Sequence, residues 1–447
     1  MKVHNSFLVI LVFFTYILFA GDTFSQTSIL KWQDGKDGCV TITFDDGSIN
    51  QFRYAVPLLN ERGLPATFYI ITGGLPGSKY HPTFTGRPVQ QIIKESGTIP
   101  TGKDNLFERC SALYYLAQTG KYPEIKDFFD MSVAVGEQFE QGKLDEVYSI
   151  IDKGYAALRS SGHTYNFERK KEDTGTGYHL TWDMLKQLDK EGHEIANHTV
   201  SHPYMPVIDK ANIMYEIQKA AEDIRTHIPG DNDFSIECPY GIDDERVLEY
   251  VYPEFQFVRN GLKDTFIKEI LRGDPEEPVS KDKEYVQWQR GGVTETPMSV
   301  MKGWVDRSIK DSVWLLLVFH GVEGIGWEPL TKESYAEYFD YIKANTKNVW
   351  VATFRDAYKY VRERMNTKVE SKTGNDAITV ALSNTMDKKI YNIPVTLRTI
   401  VPDTWKTVTI KHGKENKKLT VQKEGNISFV QYRAVPDIAE ITLTKND

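Results

Sequence analysis

Cysteine is scarce in this chain: Cys39, Cys110 and Cys238 are the three among 447 residues. Three cysteines cannot make a disulfide framework for a protein of this length. None has C-x-x-C spacing, so a thiolate zinc site is excluded as well. Cys39 opens a strand-like run and Cys238 precedes a proline, positions that suit small buried hydrophobes. No block of lysine and arginine occurs. With 54 basic against 62 acidic side chains and a net charge of −8, the chain lacks the footprint of a nucleic-acid binder. No apolar run reaches the roughly 20 residues of a membrane-spanning helix. Fixed-period repeats and low-complexity tracts are missing too.

What apolar run there is comes early. Phe7 to Ala20 (FLVILVFFTYILFA) follows a short polar opening with Lys2 and His4, the form of a secretory signal peptide. Cleavage fits after Ala20 or after Ser25, and the expected signal peptide spans 1–25; an uncleaved anchor is the alternative. Secretion, to the periplasm or beyond, is the expectation, without stable membrane insertion after cleavage. The remainder is too long for the roughly 100–200 residues of one domain. Hydrophobic residues at 40% and aromatics at 12% supply a sizeable core.

From Gly38, CVTITFDDG predicts a buried strand ending in two acids and a glycine turn. A helix around Asn50–Arg62 follows, with Gly63 as its cap, and then a second strand, Pro65–Ile71. This rhythm argues for a parallel sheet or barrel. It breaks over about 73–178, where Glu108–Thr119, Pro123–Phe139 and Leu144–Ser160 carry apolar residues at helical spacing. A structureless loop of that length is improbable, so a packed helical insertion is expected. The rhythm resumes with a helix capped by Thr181 and ended by Gly192, then the strand HEIANH. A helix over Lys210–His227, strands in FSIECPYG and FQFVRNG, and the very apolar Trp314–Val322 continue it. A helix over Lys332–Ala344, the strand VWVATF and a helix over Asp356–Met365 complete a segment expected to span 26–366. After Asn366, short alternating strands (ITVALSN, IPVTLRTIV, WKTVTIKHG, AEITLTK) predict a small β-sandwich over 367–447. Trp405 and Tyr432 are its candidates for a sugar-binding platform.

Asp45 and Asp46 end the first strand, and in parallel α/β folds sites form at the carboxyl ends of strands. An ordinary Asp-Asp-Gly turn explains the pair equally well. His198 and His202 form HTVSH after another strand. Two imidazoles four residues apart in a turn of helix can meet one metal ion, and only 10 His occur in the chain. His320 ends LLLVFH, a strand whose end is expected on the same face. Two His and one carboxylate leave zinc an open position for water.

TFDDG (Thr43–Gly47), HTVSH (His198–His202), ECPYG and the strand ending in His320 come in an order that resembles the polysaccharide deacetylase family, also called carbohydrate esterase family 4 or NodB-like deacetylases. ATFYI and GHEIANH are similar to the family's flanking segments, and the resemblance covers roughly Cys39 to Arg364 minus the insertion. It implies an α/β fold, a distorted (β/α) barrel of that type, here with the helical insertion and the C-terminal β-sandwich. It implies Asp46, His198 and His202 as ligands of a divalent metal, zinc foremost, with Asp45 as general base and His320 as general acid. The backbone N–H near Tyr240, in the Pro239-Tyr240 pair, would stabilise the oxyanion. The implied partner is an acetylated polysaccharide or oligosaccharide. A small-molecule amidase and a non-catalytic glycan-binding protein are the alternatives. Two departures stand out. Glu237 occupies the place of the family's Arg, so Asp45 needs another cation, with Arg259 and Arg290 as candidates. The family's Asp-Trp motif, which orients the acid His, has no counterpart; Asp306 lies upstream without supporting spacing.

Overall fold

The structure, a computed structural model, describes residues 26–168, 178–228, 234–242, 244–279 and 283–446. The expected signal peptide lies outside the described residues. Two compact units divide the chain: 30–367 with 384–396, and 26–29 of the described N-terminal end with 368–383 and 397–446. The smaller unit therefore takes in β1 (Thr27–Ile29), a strand from the other end of the sequence.

The larger unit is built on a curled parallel sheet. Its strands are β2 (Gly38–Phe44), β3 (Thr67–Ile70), β4 (Glu194–Asn197), β5 (Ile236–Glu237), β6 (Val258–Arg259), β7 (Ile267–Ile270), β8 (Tyr285–Arg290), β9 (Trp314–Phe319) and β10 (Val349–Val351). They run in the order β6-β5-β4-β3-β2-β9-β8-β7, with β10 also on β2. β2 and β9 are buried throughout, as strands covered on both faces must be; β9 is apolar along its length, and in β2 the hydroxyls of Thr41 and Thr43 are hydrogen-bonded. They pair in register from Cys39 opposite Trp314 to Phe44 opposite Phe319. Asp45 and His320 therefore leave neighbouring strands at the same level. No strand pairing joins β6 to β7 among the described residues. The Glu269 carboxylate bridges this seam instead, accepting from the backbone N–H groups of Asn260, Gly261 and Leu262 at 3.0–3.1 Å.

The helices are α1 (Val56–Arg62), α2 (Val89–Glu95), α3 (Leu106–Gln118), α4 (Phe128–Glu140), α5 (Leu144–Ser161), α6 (Trp182–Lys190), α7 (Lys210–His227), α8 (Glu245–Val251), α9 (Met298–Asp311), α10 (Lys332–Ala344) and α11 (Phe354–Asn366). Sequence caps hold where expected: Gly63 closes α1 in the left-handed conformation, and the Thr181 hydroxyl accepts from the Met184 N–H. One turn of π-helix, Gln51–Ala55, precedes α1. α2 to α5 fill the expected insertion. Their apolar faces, including Leu113, Tyr115, Ile151 and Tyr155, join the same buried cluster as the sheet. α9 escaped the sequence reading because Gly303 and Ser308 interrupt its apolar stripe (Met301, Val305).

The smaller unit holds two antiparallel sheets. One sheet runs β11 (Lys368–Thr373), β12 (Ala377–Ser383), β18 (Ile441–Asn446), β14 (Thr407–His412), β15 (Glu415–Thr420); the other runs β1, β13 (Val395–Ile400), β17 (Ile427–Ala434), β16 (Gln422–Glu424). Trp405 and Tyr432, expected as a surface platform, are core residues, 3% and 7% exposed. The Tyr432 hydroxyl is engaged by the Thr399 hydroxyl at 2.9 Å. Among the described residues no helix is long and apolar enough to cross a membrane.

Leu317 sits fully buried in β9 between β2 and β8. Leu317→Ala is expected to cost about 2–5 kcal/mol. A lower urea midpoint at unchanged m-value is the measurement that checks it.

Candidate active site

The carboxyl ends of β2, β4, β5, β6 and β9 open into one cleft of about 850 Å³. Asp45, Asp46, His198, His202, Tyr240 and His320 all line it; Pro239 is buried beside Tyr240. Ligand atoms of Asp46, His198 and His202 lie within 4.8 Å of one another. The Asp46 Oδ1 is 3.7 Å from His198 Nε2 and 3.6 Å from His202 Nε2. His198 Nδ1 is 3.0 Å from the Glu237 carbonyl oxygen. A carbonyl only accepts, so Nδ1 carries the proton and Nε2 offers its lone pair to the centre.

The expectation of a helical turn at HTVSH is corrected. The segment is a loop in which Thr199 (φ 67°) and His202 (φ 58°) take left-handed conformations. Its backbone is held by groups from three directions. The Ile70 and Val200 carbonyls pair with the His198 and Gly73 N–H groups at 3.0 and 2.8 Å. A Cβ on Gly73 would stand 2.5 Å from the Val200 oxygen, an approach only glycine allows. From α7, buried Glu216 accepts from the Val200 and Ser201 N–H groups at 2.8 Å, from the Ser201 hydroxyl at 2.6 Å, and from the Tyr115 hydroxyl of α3 at 2.8 Å. The Tyr114 hydroxyl donates to the Ser201 carbonyl at 2.9 Å. Hydrogen bonds, not helical geometry, aim the two imidazoles.

Asp45 and its neighbour Asp46 diverge because Asp46 is itself left-handed (φ 72°). Asp45 points into the sheet's interior, where Arg259 of β6 meets it in a fork: Nη1 to Oδ1 at 3.0 Å and Nη2 to Oδ2 at 2.6 Å. Arg259 also donates to the Thr43 hydroxyl at 2.8 Å, and its guanidinium lies 4.3 Å from the centre of the Tyr69 ring. Glu237 pairs with the same guanidinium, and the Asn260 amide donates to Glu237 Oε1 at 2.7 Å. Of the two arginines considered from sequence, Arg259 is the cation beside Asp45. Arg290 lines the cleft but spends its donors on the Gln289 and Glu276 carbonyls. The acidic Glu237 thus anchors an arginine supplied from the next strand.

These environments set the protonation states. Burial alone would raise Asp45, but the Arg259 charge overrides it and holds the carboxyl at about 2. Burial, with Asp45 adding to it, pushes Asp46 up to about 7. Burial lowers His198 to about 4 and His202 well below the usual imidazole range, so both stay neutral, as ligands must. His320 Nε2 lies 3.5 Å from Asp45 Oδ2. Burial outweighs that carboxylate and draws His320 down to about 4. His320 is therefore a neutral ring at neutral pH. Asp306 stands apart: its carboxylate accepts from Tyr341 at 2.5 Å on the α9 surface.

The family model described as "Polysaccharide deacetylase" matches residues 33–95 and 145–252. Over these residues the chain is similar to that family. The match takes in Asp45, Asp46, His198, His202 and Tyr240; His320 lies beyond it. Among curated relatives, an uncharacterized 30.6 kDa protein of Geobacillus stearothermophilus is 30% identical over 112 residues, covering 23% of this chain and 41% of that protein. A chitooligosaccharide deacetylase of Bradyrhizobium sp. (strain ANU 289) is 33% identical over 66 residues, 15% of this chain and 30% of that one. The chain spans well under half the length of these curated relatives. A solved family 4 carbohydrate esterase from Bacillus anthracis is 14% identical, with 74% of this chain and 86% of that chain covered and a TM-score of 0.33. Sequence reasoning missed Trp327, Arg272, Gln289 and Glu137, which also line the cleft. None belongs to a motif, and Glu137 comes from the insertion.

Arg259→Met is expected to lose about 3–5 kcal/mol at neutral pH, because it strands a buried carboxylate. In the parent protein Asp45 titrates below its unfolded value, so its stabilising share is complete above the ordinary carboxylate range and is lost as pH falls through about 2. The gap between parent and variant should therefore narrow towards pH about 2; paired urea titrations across this range measure it.

Proposed function

We propose that this protein is an exported, metal-dependent hydrolase that removes acetyl groups from a polysaccharide or oligosaccharide. The observation that carries the proposal is the convergence of Asp46, His198 and His202 within 4.8 Å, with Asp45 and His320 beside them. This donor set fits a divalent cation: two neutral imidazoles and one carboxyl group whose ionisation burial opposes until a positive charge arrives. Two of the three ligands also sit in strained left-handed backbone, which persists only where surrounding structure enforces it.

Asp46, His198 and His202 would hold the ion, and the donor types favour zinc. Bound there, it supplies Lewis acidity and lowers the pKa of water. Asp45, clamped by Arg259, accepts the attacking water's proton at Oδ2. His320 Nε2, 3.5 Å away and the more basic of the two, takes that proton on. It then delivers it to the leaving amine or alcohol of the sugar. The backbone N–H of Tyr240, a residue held at φ 67° on the cleft wall, would stabilise the developing oxyanion. Arg259 weighs against the glycan-binding alternative, which drew its force from the lack of a cation at Asp45. The N-terminal apolar run serves as the export signal in this reading.

Zinc-loaded protein should release acetate from an acetylated glycan. His198→Ala should lose bound zinc and at least about a thousandfold in rate, as should chelation; stoichiometric zinc with no acetate from any acetylated glycan would overturn the reading. Because Asp46 must give up a proton to bind metal, apparent zinc affinity should fall about tenfold per pH unit below pH about 7. Competition titrations with a zinc indicator at several pH values check the slope.

A further inference from the structure

We infer that Trp327 is the platform on which the leaving sugar ring stacks, which makes the cleft's substrate a saccharide and not a small amide. The inference rests on the proposed deacetylation. Trp327 lines the cleft yet stays 55% exposed. A large apolar ring left wet beside a reaction centre marks a binding site more often than a folding need.

The loop that carries it is built to hold it still. Between His320 and α10, the backbone pairs Gly321 with Trp327 (2.8 Å), Val322 with Ile325 (2.9 Å) and Glu323 with Leu330 (3.0 Å). Glu323 (φ 50°) and Glu328 (φ 45°) sit in left-handed conformations. Strain of this kind in non-glycine residues collects at functional sites. Gly321 has no space for a side chain, since a Cβ would lie 2.8 Å from the Trp327 carbonyl oxygen.

The ring's surroundings fix its role. The Arg272 guanidinium, paired with Glu328, backs it at 4.9 Å from the ring centre. Its edge relation to His320 is close: 4.7 Å between centroids at 89°. His320 is the proposed donor to the leaving atom, so a group bonded to that atom meets Trp327 next. A pyranose offers an apolar C–H face to such a ring and hydroxyls to Arg272 and Glu328. A compact amide offers neither.

Two measurements test this with zinc-loaded protein. The first is kcat/KM for an acetylated chito-oligosaccharide or xylo-oligosaccharide, divided by that for 4-nitrophenyl acetate, which has no sugar. Trp327→Ala should lower this ratio at least about tenfold, through KM, and Trp327→Phe should restore most of it. The second is calorimetric binding of the deacetylated oligosaccharide, which Trp327→Ala should weaken at least about tenfold. An unchanged ratio, or a loss confined to kcat, would overturn the platform. If the parent releases no acetate from any saccharide, the deacetylase reading fails alone. Calorimetry then still decides: weaker binding in the variant upholds the platform, and equal binding overturns it.

Discussion

A buried guanidinium governs this molecule. Arg259 sits between two carboxylates, Asp45 and Glu237, and both are almost fully enclosed. One carboxylate alone against Arg259 would be neutral in sum; with two, the interior carries net negative charge. Two hydrogen-bond donors and one ring around the group disperse it: Asn260 on Glu237, Gln289 on Asn260, and the Tyr69 ring against the guanidinium. The sheet's polar interior is therefore a single connected network. The orientation of Asp45 is an outcome of that network rather than of its own strand.

The network shows how a chain can exchange the position of a charge without losing its effect. Glu237 on β5 and Arg259 on β6 are adjacent in register. Arg259 reaches Asp45 from β6 while Glu237 on the neighbouring strand holds the same guanidinium. The resemblance raised the question, and the parallel pairing of two very short strands answers it.

Much of this was legible beforehand, for identifiable reasons. β2 and β9 announce themselves because strands buried on both faces are mostly apolar, with acidic and basic residues appearing only just past their ends, as Asp45 and His320. α7 and α10 match their expected limits, Lys210–His227 and Lys332–Ala344, because Asp209 and Thr331 cap them. The HTVSH spacing pointed to a shared centre, yet spacing cannot distinguish a helical turn from a loop pinned by a distant glutamate. His320 ends its strand beside Asp45, but its neutral state depends on burial, which tertiary packing sets and no local pattern encodes. Trp327 was invisible for the opposite reason: one tryptophan in a glycine-rich loop has no periodic partner.

Glu216 joins two parts of the chain that otherwise look separable. The same carboxylate that receives the loop between His198 and His202 receives the Tyr115 hydroxyl of the helical insertion, and Tyr114 of the same helix reaches the loop directly. The insertion is thus a structural tenant of the histidine loop and not a detachable cover. A change in its length or packing would disturb the support beneath two imidazoles at the same time.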